Sequence, residues 1–326
     1  MDNSKNESAV LDEHFIKRLL AKNRPTIARA ISIVEARGAT AGKLLDSIHP
    51  YIGQAYHIGV TGPPGAGKST LTAQLAKYAR EHGASIGVVA IDPSSPITNG
   101  AVLGDRVRMD EIAHDDEVFI RSMATRGMSG GLSATACEAA DVLDAAGFDY
   151  VFIESVGIGQ IELKIEKYVD TTVVVLVPES GDHVQAIKAG LMEIANIYVL
   201  NKSDRQGAAN VLQILQSALS FHQHAGWSPQ VVPSTAINGE GTAELFEQIE
   251  KHRSYLNTNS RLLEKRIVGM KSRIHDMANE TVSATIWNEE RERIIADAIP
   301  GLMGGKISPG RLAEEISDRI LDKIKN

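Results

Sequence analysis

Short apolar runs alternate with helix-patterned stretches through the middle of this chain. Residues 55–61 (AYHIGVT), 85–91 (SIGVVAI), 118–120, 150–153, 171–177 (TTVVVLV), 197–200 and 230–233 are each short, and most are rich in β-branched side chains. Runs of this kind with helices between them predict an α/β fold, a mostly parallel sheet covered by helices on both faces. Before it, over residues 1–52, Phe15, Leu19, Leu20, Ile27, Ile31 and Val34 recur at helical spacing, punctuated by Pro25 and Gly38. After it, over residues 255–326, the pattern turns charged and helical; residues 300–305 break it, and an amphipathic helix follows Ser308-Pro309-Gly310. The expected organisation is an N-terminal helical extension (1–52), an α/β domain (53–254) and a C-terminal helical arm (255–326). That arm cannot bury much against itself, so it is either a docking arm on the same sheet or a dimerisation element, and a homodimer is expected.

Composition narrows the setting. With 34 basic and 41 acidic residues the formal net charge is −7, which gives no footprint for nucleic acid or an anionic membrane surface. No apolar run approaches the length of a bilayer span. One cysteine, Cys137, excludes an internal disulfide, and the polar N-terminus is unlike a targeting peptide, so the expected location is cytoplasmic.

The chemistry begins after the first run. Gly62-Pro63-Pro64-Gly65-Ala66-Gly67-Lys68-Ser69 has the spacing of a phosphate-binding loop, and residues 70–80, opening with Thr70, carry Leu71 and Leu75 on one helical face. Strand, glycine loop and helix aim backbone N–H groups and a positive helix end at one spot. A nucleoside triphosphate is the expected ligand, with Lys68 on its β/γ-phosphates and the Ser69 hydroxyl on Mg²⁺. Asn201-Lys202-Ser203-Asp204 leaves the run at 197–200. The Asp204 carboxylate matches the N1–H and 2-amino donors of guanine, whereas adenine offers no such pair. Asn201 and Lys202 would buttress the neighbouring loops, and Ser234-Thr235-Ala236-Ile237 would offer a backbone N–H to the guanine carbonyl. GTP and GDP are therefore expected over ATP.

Two further stretches are candidates for metal and γ-phosphate contacts. In Ile153-Glu154-Ser155-Val156-Gly157, Glu154 stands where most GTPases place an Asp that reaches Mg²⁺, and Gly157 would sense the γ-phosphate. The water-orienting Gln of Ras-like enzymes is replaced by Ile158, which predicts slow hydrolysis by the protein alone. Asp92, ending a strand, and Asp105 are candidate Mg²⁺ ligands, and Arg108 a candidate partner for phosphate charge. An N-cap role for Asp105 and a surface role for Arg108 are the plainer alternatives.

Together the stretches VTGPPGAGKST, AIDPSSPITNGAVLGDRVRM, FIRSMATRGMSGGL, FDYVFIESVGIGQIE, ESGDHVQAIKAG and NKSD resemble the methylmalonyl-CoA mutase-associated GTPases, the MeaB/ArgK family. The resemblance implies a SIMIBI-class G domain with a C-terminal dimerisation arm. It also implies a chaperone of an adenosylcobalamin-dependent acyl-CoA mutase, with GTP binding and hydrolysis gating cofactor delivery and protection. The family's third switch carries over onto Asp182, Gln185 and Lys188, while His183 stands where relatives usually have an acidic residue. Read without the resemblance, residues 182–190 are an N-capped amphipathic helix. The segment 121–127 (RSMATRG) also departs from the Pro- and Ser-rich loop of well-known relatives, which leaves methylmalonyl-, isobutyryl- and hydroxylated acyl-CoA mutases open as clients.

Two rival functions share the G-domain chemistry. A nickel-type metallochaperone GTPase would need a Cys/His cluster, but Cys137 stands alone and His49 and His57 have no evident ligand set. A kinase acting on a transport-binding protein would need a base beside the γ-phosphate that orients the acceptor, and no residue in the sequence identifies one.

Overall fold

A computed structural model describes residues 11–92, 109–124, 134–155, 165–179, 191–220, 226–287 and 289–325. The chain divides into two units, Met1–Met270 and Lys271–Asn326.

Among the described residues of the first unit, seven strands form one parallel sheet: β1 (Tyr56–Thr61), β2 (Ile86–Asp92), β3 (Val118–Ala124), β4 (Tyr150–Glu154), β5 (Thr171–Leu176), β6 (Ile197–Leu200) and β7 (Gln230–Pro233). Their order is β3-β2-β4-β1-β5-β6-β7. Every expected run is a strand. The third extends four residues past Ile120, because Arg121 to Ala124 continue the parallel pairing with Val89 to Asp92; Arg121 pairs with Glu35, and Met123 is again buried. Strand residues divide by parity between two cores: Val151, Ile153, Val174, Leu176, Tyr198 and Leu200 face one, and Tyr150, Phe152, Val173, Val175, Ile197 and Val199 the other. This is why the runs are apolar without alternation.

The first core is covered by α1 (Glu13–Leu20), α2 (Arg24–Ala36), α3 (Ala39–Ile48), α6 (Ala134–Ala145) and α8 (Ala208–Ser220). The second lies under α4 (Lys68–Glu81), the short α5 (Asp110–Ala113) and α9 (Thr242–Asn257). A further short helix, α7 (Leu191–Ile194), precedes β6. Phe15, Leu19, Ile27, Ile31 and Val34 are buried as the helical spacing predicts, and Leu20 is only partly so. Pro25 begins α2 rather than ending α1, and Asn23 caps the new helix through Thr26 N.

The sequence beyond 255 is helical, in α10 (Arg261–Ile286), α11 (Glu289–Met303) and α12 (Pro309–Lys325). Pro300 lies inside α11 and does not end it. The break falls at Gly304 and Gly305, where Lys306 N donates to Gly301 O at 2.9 Å and Gly305 takes a left-handed φ of 69°. Ser308 Oγ accepts from Arg311 N, and Pro309 opens α12. Among the described residues no helix is long and apolar enough to cross a membrane.

Candidate nucleotide site

The site lies along the carboxyl ends of the central strands, the ligand edge of an open parallel sheet. β1 holds the centre between β4 and β5, and the phosphate loop leaves it directly. At Gly62 (φ 139°) a Cβ would stand 2.1 Å from Val175 O, so the loop passes β5 closer than any other residue allows. Gly67 (φ 88°) caps α4, and a Cβ there would stand 2.4 Å from Asn201 Nδ2. Lys68 and Ser69 are buried in the first turn of α4; Lys68 Nζ donates to Gly62 O at 2.9 Å and Pro63 O at 3.2 Å. Pro64 and Gly65 are exposed, Ala66 is buried, and Pro63 and Thr70 are partly covered.

Ser69 Oγ donates to Glu154 Oε1 at 2.7 Å, joining the two residues expected at the metal. Asp92, also buried, ends β2 on the same edge, where Ala90 is in register with Glu154. The described residues contain no group of three or more His, Cys, Asp or Glu side chains that would hold an ion unaided. A hydroxyl and two carboxylates are hard oxygen donors, and they fit Mg²⁺, which takes one or two carboxylates and completes its shell with phosphate oxygens and water.

Asn201 is the joint of the site. Its Nδ2 donates to Ala66 O at 2.7 Å and its Oδ1 accepts from Ala236 N at 3.0 Å, so one buried side chain spans the phosphate loop and the loop after β7. Lys202 adopts a left-handed φ of 57° and donates through Nζ to Gly65 O at 2.8 Å. Asp204 is exposed. Thr235 and Ala236 are buried, while Ile237 is 79% exposed.

Lys68, Ser69, Glu154, Asp92, Asn201, Lys202, Asp204 and the 235–237 loop thus share one sheet edge. Asp105, Arg108, Gly157, Asp182, Gln185 and Lys188 lie outside the described residues. Three contacts carry no signal in the sequence. Ser155 Oγ donates to Thr61 Oγ1 at 2.8 Å, binding the ends of β4 and β1. Ser203 Oγ donates to Ser234 O at 3.0 Å, and Arg205 pairs with Glu179.

Known proteins resemble the chain over most of its length. A putative GTPase of Pyrococcus abyssi is 44% identical over 318 residues, covering 96% of this chain and 92% of that protein. The methylmalonic aciduria type A homolog of Mus musculus, a mitochondrial protein, is 33% identical over 268 residues, covering 79% of this chain and 64% of that one. The crystal structure of a LAO/AO transport system kinase superposes with a TM-score of 0.74 at 28% identity, covering 98% of this chain and 99% of that one. Residues 27–291 match the methylmalonyl-CoA mutase-associated GTPase MeaB family, and the chain belongs to that family of guanine-nucleotide-binding GTPases.

Proposed function

We propose that this GTPase chaperones an adenosylcobalamin-dependent acyl-CoA mutase, using its nucleotide state to gate cofactor loading and protect the mutase from inactivation. The family match over residues 27–291 carries the reading, and the name of the mouse relative is consistent with it. In this reading Asp204 accepts hydrogen bonds from the guanine edge, and the backbone around Ala236 donates to the guanine carbonyl. Gly62 to Thr70 cradle the phosphates with backbone N–H groups, and Lys68 turns from its own loop carbonyls to the β/γ-phosphates. Ser69, Glu154 and Asp92 would hold Mg²⁺, with Asp105 a further candidate ligand; the ion would supply charge neutralisation at the phosphates. From the family resemblance, Gly157 senses the γ-phosphate, Arg108 offsets phosphate charge, and Asp182, Gln185 and Lys188 relay nucleotide state to the client. The same reading keeps residues 1–52, 53–254 and 255–326 as helical extension, G domain and dimerisation arm. Ile274, Met277, Val282, Ile299 and Met303, all exposed, are suited to burial against a second copy.

The test is GTP hydrolysis with and without a purified mutase of this class. Alone, turnover should fall far below about 10 s⁻¹, the median for enzymes, because Ile158 cannot orient water. The mutase should raise it, and Lys188→Ala should weaken that stimulation while GTP affinity stays near normal. If no such mutase binds or accelerates the wild type, the chaperone reading fails.

A further inference from the structure

Recognition of guanine by a carboxylate requires both its oxygens to be available as acceptors. Asp204 meets that condition: it is exposed and forms no hydrogen bond or ion pair among the described residues. Yet the next residue is Arg205, whose planar guanidinium is the side chain best matched to a carboxylate. The turn is tight, with Arg205 N donating to Lys202 O at 3.0 Å and Lys202 in the left-handed region at φ 57°. Arg205 does not take its neighbour. Its Nη1 donates instead to Oε1 of Glu179, just past the end of β5. Both side chains are about half exposed, at 48% and 42%, so the pair contributes little to folding. Its consequence is local, at the base-reading loop.

We propose that Glu179 acts as a keeper for Arg205, holding the guanidinium away from Asp204 and so leaving the base-reading carboxylate to guanine. The proposal rests on the reading of Asp204 as the base-recognising group. The Arg205 guanidinium also holds the Glu179 carboxyl below the usual carboxylate range, so the pair is charged at neutral pH. A brace would make a different prediction from a keeper. A brace needs both partners, whereas a keeper is needed only while the group it restrains is present.

The experiment is titration of wild type, Glu179→Ala, Arg205→Ala and the double variant with fluorescent GDP and a fluorescent non-hydrolysable GTP analogue. Glu179→Ala should weaken both nucleotides about 3-fold, the scale of competition by an exposed ion pair. The loss should shrink at high salt, and thermal unfolding should not shift. Arg205→Ala should bind as wild type does, and the double variant should recover wild-type affinity. Equal losses in both single variants with no recovery in the double would overturn the keeper in favour of a brace. No loss in Glu179→Ala would show the pair to be idle. Asp204→Asn is measured alongside with GTP and XTP. If it fails to shift preference toward xanthine, the base-reading assignment itself is wrong and the keeper falls with it; if it shifts, any failure above belongs to the keeper alone.

Discussion

Gly62 shows how narrowly single residues are specified at the nucleotide edge. A methyl group there would meet both a left-handed φ and the carbonyl of Val175 at 2.1 Å, and that carbonyl belongs to a central strand that cannot give way. Gly62→Ala should therefore cost about 1–3 kcal/mol in backbone strain alone and displace the loop from β5. Thermal unfolding together with GDP titration checks this; a variant that melts and binds like wild type would show the loop to be free of β5. Such positions were legible because the phosphate loop and Asn201-Lys202-Ser203-Asp204 are contiguous motifs in which spacing along the chain is the geometry. Ser155 on Thr61 and Arg205 on Glu179 were not, because each pair joins residues far apart in sequence. Only the lateral order of β4, β1, β5 and β6 brings them together, and no local pattern encodes that order.

At the scale of elements, the opposite end of the sheet is fastened by buried charge. Arg266 on α10 donates to both oxygens of Asp170, at 2.9 and 2.7 Å, and to Gly53 O and Ala55 O. Asp170 also accepts from His57 N at 2.9 Å, and His57 Nε2 lies 3.4 Å from Asp144 Oδ2. Asp144 in turn accepts from the backbone N–H groups of Gly53, Gln54 and Ala55. Burial alone would lower the His57 pKa, but Asp144, then Asp170 and Asp141, outweigh it and hold the value above 6.5. A raised folded value means that the stability from His57 is complete below its unfolded pKa and disappears as pH climbs through the folded one. Burial opposes ionisation of Asp144 and Asp170 too, yet their pKa values are lowered, Asp144 by His57 and Asp170 by Arg266. Their contribution is present above 3.8 and disappears as pH falls through their folded values. The destabilisation caused by His57→Gln should accordingly be larger at about pH 6 than at about pH 9 in denaturant unfolding. Arg266→Ala should cost about 3 kcal/mol at neutral pH, because it strands a buried carboxylate. A His57→Gln difference that does not vary with pH would show that folding leaves the imidazole pKa unchanged, and one that is smaller at about pH 6 would show the imidazole to be buried neutral. None of this cluster follows from periodicity, which finds strands and helices through their apolar positions and is silent on which charges they bury. Pro300 shows the complementary limit: read as a breaker, it sits inside α11, and paired glycines end the helix.

At the scale of the whole chain, burial is distributed very unevenly. Both hydrophobic cores, and every described contact of the nucleotide site, lie within the first 270 residues. Beyond Met270 only Leu312 and Ile316 are buried among the described residues, while Ile274, Val282, Trp287, Ile299 and Met303 are exposed. A segment of this size with so small a core falls below what hydrophobic burial can stabilise without a partner. The sequence carried this asymmetry in plain view, because the tail beyond 255 is charged and helical and lacks the dense apolar runs of the sheet. Two fragments convert the asymmetry into a measurement. A chain ending at Met270 should unfold cooperatively and bind GDP with the affinity of the full protein, since it keeps both cores, Asn201 and the Arg266 attachment. Residues 271–326 alone should show no cooperative melt at low concentration and should gain helix only as concentration rises, as expected of an arm that folds against a second copy. Circular dichroism and sedimentation across a dilution series distinguish the cases. Loss of GDP binding by the shorter chain would mean that the arm completes the nucleotide site, and a cooperative, concentration-independent melt of 271–326 would mean that it folds by itself.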